Sequence, residues 1–198
     1  MGVDSRGLDI ADMLTLEERE RLGMFVKHID KKNMKALEIG SWKGCSAKAI
    51  AEQLIDTGGT LICVDDWKGN GNADTLQIAT KEDVFHIFRN NMQILGLWDI
   101  LKPMIMTSKE ASQIVEDESL DFIFLDADHS YEHVKQDIQL WLPKLKLGGI
   151  YCGHDLDHEG VDLAIKDIFG SNFRRYVKQL DSTRLWFYRK EVGYASRK

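Results

Sequence analysis

The pattern of apolar and polar positions changes period repeatedly along the chain. The runs "LICV" and "FIFL" are apolar without alternation, which is typical of strands that are covered on both faces of a parallel sheet. Between such runs, apolar residues recur every three or four positions, which is the period of an amphipathic helix. Strands that alternate with helices predict βαβ units with right-handed crossovers. We therefore expect an α/β fold with a doubly wound, mostly parallel sheet.

The predicted elements follow from these runs and from their boundary residues. The strands are predicted at 35–40, 59–65, 100–106, 121–126, 148–155, 173–179 and 183–190. The helices are predicted at 15–29, 46–56, 81–95, 108–116, 131–145 and 160–170. Thr15 and Glu18 have the spacing of a capping box, and Ser108 is expected to cap the short helix that follows it. The last two strands are expected to pair through a turn around Asp181. The connection 66–80 is either a lid or substrate wall, or a surface loop without a role.

Length and composition limit the classes of protein to consider. The 198 residues fit a single domain over 1–198, with residues 1–14 loose and the folded core at about 35–190. The net charge of −6 argues against a nucleic-acid partner, which would need a basic face. The sequence contains no run of about 18 apolar residues, so it predicts no membrane span. The three cysteines form no CxxC pair, so we expect buried thiols and a cytoplasmic location.

Candidate chemistry gathers where the predicted strands end. In open α/β sheets, ligands bind beyond the carboxyl ends of the strands. The residues at these positions are Glu38, Gly40, Asp65, Ser108, Asp126, Asp128, His154 and Asp155. Side chains alternate along extended chain, so Asp126 and Asp128 are expected to project to the same side, where carboxylates suit a hard cation such as Mg²⁺. The alternative is that these acids only cap helices, with Asp128 and Ser130 at the helix that starts at Tyr131.

The segment "LEIGSWKGCSAKAI" places a glycine-bearing turn between the first strand and its helix. Gly40 allows a tight turn, and Gly44 is expected to let the backbone approach a ligand. The spacing is G-x-x-x-G, which fits a dinucleotide fingerprint poorly. Asp65 ends the second strand, where an acid can accept the hydrogen bonds of a ribose diol.

The pattern E-x-G-x-x-x-G followed by this acid resembles the class I S-adenosylmethionine-dependent methyltransferases over roughly 35–190. The segments "VDDWKGN", "LDADHSYEHVKQDIQLWLPKLKLGGIYCGHD" and "GVDLAI" further resemble methyltransferase family 24, the small-molecule O-methyltransferases of the macrocin and cephalosporin-cluster type. This resemblance implies a seven-stranded Rossmann-like sheet whose last strand is antiparallel, with an additional N-terminal helix in this chain. It also implies methyl transfer from S-adenosylmethionine to a hydroxyl of a small acceptor, such as a sugar, a natural product or a diol.

The resemblance implies a role for each matched position at the donor. Glu38, Gly40 and Gly44 would line the methionine part of S-adenosylmethionine, and Ser46 would lie near its carboxylate. Asp65 would bind the ribose hydroxyls, and Thr107–Ser108 would lie beside the adenine.

The resemblance further implies a divalent cation, Mg²⁺ or Mn²⁺, held by Asp126, His154 and Asp155, with Asp126 also beside the donor. Asp128 or His129 would take the proton of the acceptor hydroxyl. His154 stands where relatives often have a second carboxylate. Because imidazole is a poor ligand for Mg²⁺, either the site prefers Mn²⁺, Fe²⁺ or Zn²⁺, or His154 acts as a base or a substrate contact.

Other interpretations of the same residues stay open at this point. Asp126, Asp128, His154 and Asp155 could serve a metal-dependent hydrolase, and a cofactor-binding protein without turnover is a further alternative. "HSYEH" (129–133) matches the H-x-x-E-H pattern of zinc proteases, but His129 is expected to precede the helix that carries His133, which argues against that class. Trp42 and Trp67 lie on predicted loops and could either stack on the cofactor or pack in the core. The oligomeric state is open, and a homo-oligomer is one of the options.

Overall fold

The computed structural model describes residues 7–10, 13–29, 31–70, 72–170, 173–175, 177–180 and 182–191. Its strands are β1 (Lys35–Ile39), β2 (Thr60–Asp65), β3 (Leu101–Ile105), β4 (Leu120–Leu125), β5 (Leu145–Gly153), β6 (Val177–Gln179) and β7 (Trp186–Arg189). Its α-helices are α1 (Leu16–Ile29), α2 (Cys45–Ala51), α3 (Ala73–Lys81), α4 (Val84–Ile94), α5 (Ser108–Ser112), α6 (Tyr131–Trp141) and α7 (Glu159–Phe169). Strands and helices alternate as the apolar pattern predicts.

Within these ranges, the seven strands form one sheet in the order β3-β2-β1-β4-β5-β7-β6. The first five pair in parallel, and β7 runs antiparallel to both β5 and β6. This confirms the doubly wound, mostly parallel sheet with an antiparallel closing strand. The strand order reverses between β1 and β4, so the carboxyl ends of these two strands open onto the crevice where such sheets bind ligands.

The core lies on both faces of the sheet because the central strands β1 and β4 are buried along almost their whole length. All six residues of β4 are buried. Phe122 and Phe124 join one apolar cluster with residues of α1, α2 and α4, whereas Ile123 and Leu125 join a second cluster with residues of α6 and α7. Alternate side chains of one strand point to opposite faces, so these two clusters are the two covered sides of the sheet.

Helix starts confirm one predicted cap and correct another. Thr15 caps α1, because its hydroxyl accepts the backbone N–H of Glu18 while the Glu18 carboxylate accepts the backbone N–H of Thr15. The prediction that Ser108 caps α5 is wrong: Thr107 is the cap, in a capping box with Glu110. Ser108 is the first helical residue, and its hydroxyl is engaged elsewhere.

The connection 66–80 is not a loop throughout. Its second half forms α3, which starts at Asn72, whose side chain accepts the backbone N–H of Asp74. None of the nine residues of α3 is fully buried, and Ile78 and Ala79 pack only partly against the core. The first half of the connection stays irregular and holds Asn70, whose amide donates to the carbonyl of Ala127 after β4.

The expectation that residues 1–14 are loose is wrong where the structure describes them. Leu8 and Leu14 are buried in the core. The backbone N–H of Asp9 donates to Asn91, and the Asp9 carboxylate lies 2.8 Å from Nζ of the buried Lys43. Residues 1–6, 11 and 12 lie outside the described residues.

The closing strands are shorter than predicted, because Phe173–Arg175 forms a 3-10 turn ahead of β6. The predicted turn residue Asp181 lies outside the described residues. Helix α6 ends at Trp141 and continues as a 3-10 turn that contains Pro143. All three cysteines are buried and free, as predicted. Among the described residues, no helix is both long enough and apolar enough to cross a membrane.

Candidate functional site

A cleft of about 790 Å³ opens at the carboxyl ends of the parallel strands, above the reversal in strand order. Its walls come from the segments that follow β1 to β5. The predicted site residues that line it are Gly40, Ser46, Asp65, Ser108, Asp126, Asp128, His129, His154 and Asp155. Glu38 and Gly44 do not line it. The cleft is within the size range of pockets that bind small molecules and cofactors.

The turn after β1 packs directly on the chain that leaves β4. Gly40 has a φ of 87°, and a Cβ built on it would lie 2.1 Å from the backbone oxygen of Asp126. The backbone N–H of Asp126 also donates to the carbonyl of Ile39. Only glycine fits this position, and its presence brings the two halves of the cleft together.

Glu38 and Gly44 lie beside the cleft. Glu38 is completely buried, its Oε2 accepts the hydroxyl of Ser41 at 2.6 Å, and its Oε1 has no hydrogen-bond partner. Burial raises the pKa of Glu38 to about 8, although the Ser41 hydrogen bond opposes the shift. Gly44, the N-cap of α2, has a φ of 98°, and a Cβ there would lie 2.4 Å from Cε of Met92. Packing on α4 thus explains this glycine without a ligand, and the donor contacts of both residues stay predictions.

Asp65 lies at the end of β2 with its carboxylate held by the backbone. Its Oδ2 accepts the N–H of Trp42 at 2.9 Å, and its Oδ1 accepts the N–H of Trp67 at 2.7 Å. Burial raises the pKa of Asp65, and these two hydrogen bonds oppose the increase. Each carboxylate oxygen can accept a second hydrogen bond, so the side chain can still bind a diol in the cleft.

The two loop tryptophans have different environments. Trp67 is buried, packs against Phe85 and Phe88 of α4, and donates its indole N–H to the carbonyl of Trp42. It therefore belongs to the core. Trp42 is half-buried and lines the cleft, where a ring could contact a ligand.

Ser108 connects the loop after β3 to α6. Its hydroxyl accepts the indole N–H of Trp141 at 2.8 Å and donates to the carboxylate of Asp137. Asp137 is buried, lines the cleft, and has a pKa raised to about 6 by that burial. The sequence analysis missed Asp137, because a single acid on an amphipathic helix is usually on its solvent face.

Three predicted metal ligands meet at the ends of β4 and β5. Oxygen and nitrogen atoms of Asp126, His154 and Asp155 lie within 4.8 Å of one another. Nδ1 of His154 lies 3.1 Å from Oδ2 of Asp155 and 3.8 Å from Oδ1 of Asp126. Burial opposes protonation of His154, but Asp155 and Asp126 raise its pKa to about 9. Asp155 has a φ of 53°, a left-handed conformation that is uncommon for a residue with a side chain.

Asp128 and His129 separate after β4, and Asp128 is not a member of this group. Oδ1 of Asp128 accepts the backbone N–H of Ser130 at the start of α6, and it lies 3.5 Å from Nδ1 of His133. Nε2 of His129 instead lies 3.1 Å from Asp155 and 3.6 Å from Asp126. The side chain of Asp126 raises the pKa of His129. His129 precedes α6 and His133 contacts Ser130, so the two histidines do not form the zinc-protease arrangement.

Two residues that the sequence analysis did not place here complete the cluster. Glu18, from α1, accepts the backbone N–H of Arg184 at 3.0 Å, and its Oε1 lies 3.1 Å from Nε2 of His154. Arg184 donates from its guanidinium to Oδ1 of Asp155 at 3.0 Å. Burial opposes ionisation of Glu18, but backbone hydrogen bonds from Arg184 and Thr15 lower its pKa to about 2. The capping-box pattern gave no signal of this second contact.

The donor atoms of this cluster fit a divalent cation. Neighbouring ligands of a six-coordinate ion with bonds of about 2.1 Å are separated by about 3 Å. The 3.1 Å separation between Nδ1 of His154 and Oδ2 of Asp155 matches this distance, whereas the 3.8 Å from Nδ1 to Oδ1 of Asp126 is longer. The buried Nε2 of His129, beside the same carboxylates, has no hydrogen-bond partner. Two carboxylates and one imidazole are ligands that suit Mn²⁺, Fe²⁺ or Zn²⁺ better than Mg²⁺.

Comparison with known proteins gives a family match. The family described as "Methyltransferase domain", methyltransferase family 24, matches residues 37–156. A curated relative, the uncharacterized protein y4gI of Sinorhizobium fredii, is 28% identical over 140 residues, which are 68% of this chain. The chain spans about 14% of the length of that relative.

Solved structures share the fold at low identity. A candidate O-methyltransferase from Klebsiella pneumoniae has a TM-score of 0.68 and 16% identity, with 94% of this chain and 85% of that chain covered. The SAH-bound methyltransferase PaMTH1 of Podospora anserina has a TM-score of 0.65 and 16% identity, with 90% and 80% covered. The O-methyltransferase TomG of Streptomyces achromogenes, in complex with SAM, has a TM-score of 0.64 and 13% identity, with 92% and 84% covered.

Proposed function

The chain belongs to methyltransferase family 24, and we propose that it transfers a methyl group from S-adenosylmethionine to a hydroxyl oxygen of a small molecule with the help of a divalent cation. One observation carries this proposal: the Gly40 turn and the group of Asp126, His154 and Asp155 line the same cleft. A donor on the turn and an acceptor on the cluster would therefore be adjacent. Family membership also argues against the metal-dependent hydrolase.

The donor is expected to extend from the turn after β1 towards the start of α5. The hydroxyl of Ser46 and the backbone at Gly40 would contact its methionine part. Asp65 would accept hydrogen bonds from the ribose hydroxyls, and its two bonds to backbone N–H groups fix the carboxylate for that role. Thr107 and Ser108 would border the adenine, because they follow β3 at the far wall of the cleft.

Asp126, His154 and Asp155 would hold the cation. When bound, a divalent cation would lower the pKa of an acceptor hydroxyl and keep two acceptor oxygens close to the donor methyl group. Arg184 donates to one oxygen of Asp155 and so restricts how this side chain can turn. The cleft would also hold the donor methyl group and the acceptor oxygen in line, and such positioning supplies much of the acceleration in group transfer.

We propose His129 as the base, with Asp128 as the alternative. Nε2 of His129 has no hydrogen-bond partner and lies beside Asp126 and Asp155. Asp126 raises the pKa of His129, so the imidazolium that forms on proton uptake is stabilised. Asp128 also lines the cleft, but one of its oxygens is held by the N–H of Ser130 at the start of α6.

Two measurements test this function. The first is calorimetry and thermal unfolding with S-adenosylhomocysteine, where we expect saturable binding and a higher melting temperature. The second is methyl transfer from labelled S-adenosylmethionine to a panel of catechols and sugars, with and without a chelator. We expect transfer to at least one diol and its loss on chelation, with recovery when Mn²⁺ or Mg²⁺ is restored.

The outcomes separate the parts of the proposal. Failure to bind S-adenosylhomocysteine would reject the donor. Binding without transfer to any hydroxylated acceptor would favour a protein that binds the cofactor without turnover. Transfer that a chelator leaves unchanged would reject the cation and keep the methyltransferase.

A further inference from the structure

Glu18 connects the first helix to the acid cluster of Asp126, His154 and Asp155 at the carboxyl ends of β4 and β5. Its side chain is 3% exposed, although it lies in the first turn of α1, where acids are usually solvated. Its Oε1 accepts the backbone N–H of Arg184 and lies 3.1 Å from Nε2 of His154. The capping box with Thr15 uses Oε2, which also accepts a longer hydrogen bond of 3.4 Å from the guanidinium of Arg184.

The imidazole of His154 lies between carboxylates on both sides. Nε2 is next to Glu18, whereas Nδ1 is next to Asp155 and Asp126. A neutral imidazole carries one proton, and a carboxylate beside one nitrogen keeps the proton there and leaves the lone pair on the other. Carboxylate oxygens lie 3.1 Å from both nitrogens, and Nε2 makes no hydrogen bond in this structure although Glu18 lies beside it. With a cation between the two aspartates, Nδ1 would offer its lone pair to that cation, and the proton would stay on Nε2, where Glu18 is the neighbouring carboxylate.

The same glutamate supports Asp155 through Arg184. The guanidinium of Arg184 lies 3.0 Å from Oδ1 of Asp155, and its Nε lies 3.3 Å from Glu18. This leaves Oδ2 of Asp155 on the side of His154 Nδ1, at 3.1 Å. One buried carboxylate thus orients both an imidazole and a carboxylate towards the same point.

We propose that Glu18 is a positioning residue that makes Nδ1 of His154 a metal ligand, so that the cluster binds a transition-metal ion such as Mn²⁺ in preference to Mg²⁺. This inference rests on the proposed function for the presence of a cation. It goes further by naming the donor atom, the residue that orients it and the class of metal. Imidazole is a ligand for transition metals, whereas Mg²⁺ prefers oxygen ligands.

The test is calorimetric titration of the full chain with Mn²⁺ and with Mg²⁺, without donor or acceptor. We expect the wild type to bind Mn²⁺ more tightly than Mg²⁺. Glu18→Gln can keep the capping box, since glutamine is accepted at that position, but it removes the charge beside Nε2. Loss of such a partner typically weakens metal binding by about 10- to 100-fold, so we expect that change for Mn²⁺ and a smaller one for Mg²⁺.

Two control variants test whether a general loss of charge or a less stable α1 could explain a change in Mn²⁺ affinity without the proposed role of Glu18. Glu17→Gln removes an exposed charge from the same helix turn, where Glu17 pairs with Arg21. Thr15→Ala removes the capping partner of Glu18 and leaves its contacts with His154 and Arg184 in place. We expect both controls to bind Mn²⁺ like the wild type, while Thr15→Ala unfolds at a lower temperature.

A second measurement needs no variant. In ¹⁵N-histidine NMR of the wild type loaded with ¹¹³Cd²⁺, we expect cadmium coupling at Nδ1 of His154 and a proton on Nε2. Coupling at Nε2, or no coupling at His154, would overturn the inference.

The calorimetric results also separate the inference from the function on which it rests. Equal Mn²⁺ affinity in wild type and Glu18→Gln rejects the role of Glu18 and leaves the proposed function standing. A wild type that prefers Mg²⁺, or that binds neither ion, also rejects the inference. Binding of S-adenosylhomocysteine and methyl transfer by the same preparation then decide whether the methyltransferase function remains.

Discussion

The cleft has a donor end, at Glu38 and Asp65, and a cluster end, at Asp126, His154 and Asp155. The acidic side chains at these two ends receive their hydrogen bonds and ion pairs from different parts of the chain. At the donor end, Glu38 and Asp65 receive hydrogen bonds from Ser41, Trp42 and Trp67, and the most distant of these pairs, Trp42 and Asp65, is 23 positions apart. At the cluster end, the aspartates and His154 are compensated by side chains from distant segments, and Glu18 and Arg184 are 166 positions apart. The hydrogen bonds at the donor end thus come from the turns after β1 and β2, whereas those at the cluster end require α1 and the segment before β7 to be in place.

The largest effect is expected from Asp126→Asn, which removes one of the two carboxylate charges from the cluster of Asp126, His154 and Asp155. Metal assistance is worth several kcal/mol, so we expect methyl transfer to fall by about 1,000-fold or more, with loss of Mn²⁺ binding in calorimetry. Asp117→Asn removes an exposed charge whose partner is Lys144, and it serves as the control. Full turnover in Asp126→Asn would leave the cluster without a catalytic role.

Gly40→Ala is expected to disrupt the junction of the two ends. The added Cβ would collide with the backbone of Asp126, which cannot turn away, in a left-handed conformation that alanine disfavours. We expect the free energy of unfolding to fall by about 3 kcal/mol or more, measured by urea denaturation. Gly96→Ala is the control, because its φ is 70° but nothing lies within 4 Å of the new Cβ. A loss there of about 1 kcal/mol would isolate the backbone contribution, and equal losses would contradict the collision.

Asp65→Asn sharpens the comparison from the donor side. Hydrogen bonds to a charged group contribute about 1.5–3 kcal/mol, so the Kd of S-adenosylhomocysteine is expected to rise by roughly 10- to 100-fold. Mn²⁺ affinity should stay unchanged, because Asp65 lies outside the cluster. The exposed Asp56 provides the matched control, Asp56→Asn, which should alter neither affinity. Unchanged donor affinity in Asp65→Asn would reject the ribose role.

The smallest effect is a pH dependence from Glu38. Its native pKa of about 8 is above the model-peptide value of 4.5, so the unfolded chain loses the proton first, and stability falls as pH rises from 4.5 to 8. The slope is at most about 1.4 kcal/mol per pH unit. Relative to Glu38→Gln, the wild type should lose about 1 kcal/mol between pH 6 and pH 7 in denaturant titrations, with no further loss above pH 8. If the free energy of unfolding of the wild type and of Glu38→Gln changed with pH in parallel, Glu38 would be ionised in the folded protein.

The same difference between local and distant contacts explains what could be predicted from the sequence. The order of strands and helices follows from period and apolar runs, and the meeting of Asp126, His154 and Asp155 follows from the adjacency of β4 and β5. The capping error at Ser108 was avoidable, because Thr107 and Glu110 have the spacing of a capping box.

Other features had no local signal. Trp67 lies in a polar segment and is buried only because α4 brings Phe85 and Phe88 against it. α3 has no fully buried residue, and it follows a segment rich in Gly, Asn and Asp that predicts a loop. The contact between Glu18 and Arg184 depends on the position of β7 in the sheet, between β5 and β6. Neither the period nor the spacing of the residues determines that position.

The contact between Glu18 and Arg184 also has a consequence for how the protein matures. A ribosome makes Glu18 166 residues before Arg184, so during synthesis the Glu18 carboxylate has no contact with Arg184 until that later segment has been made. Contacts between residues so far apart in sequence are slow to form, because a long stretch of chain must be ordered first. The turn after β1 gains its packing partner once β4 and Asp126 have been made, whereas the contacts of Glu18 with Arg184 form only when the segment before β7 has docked.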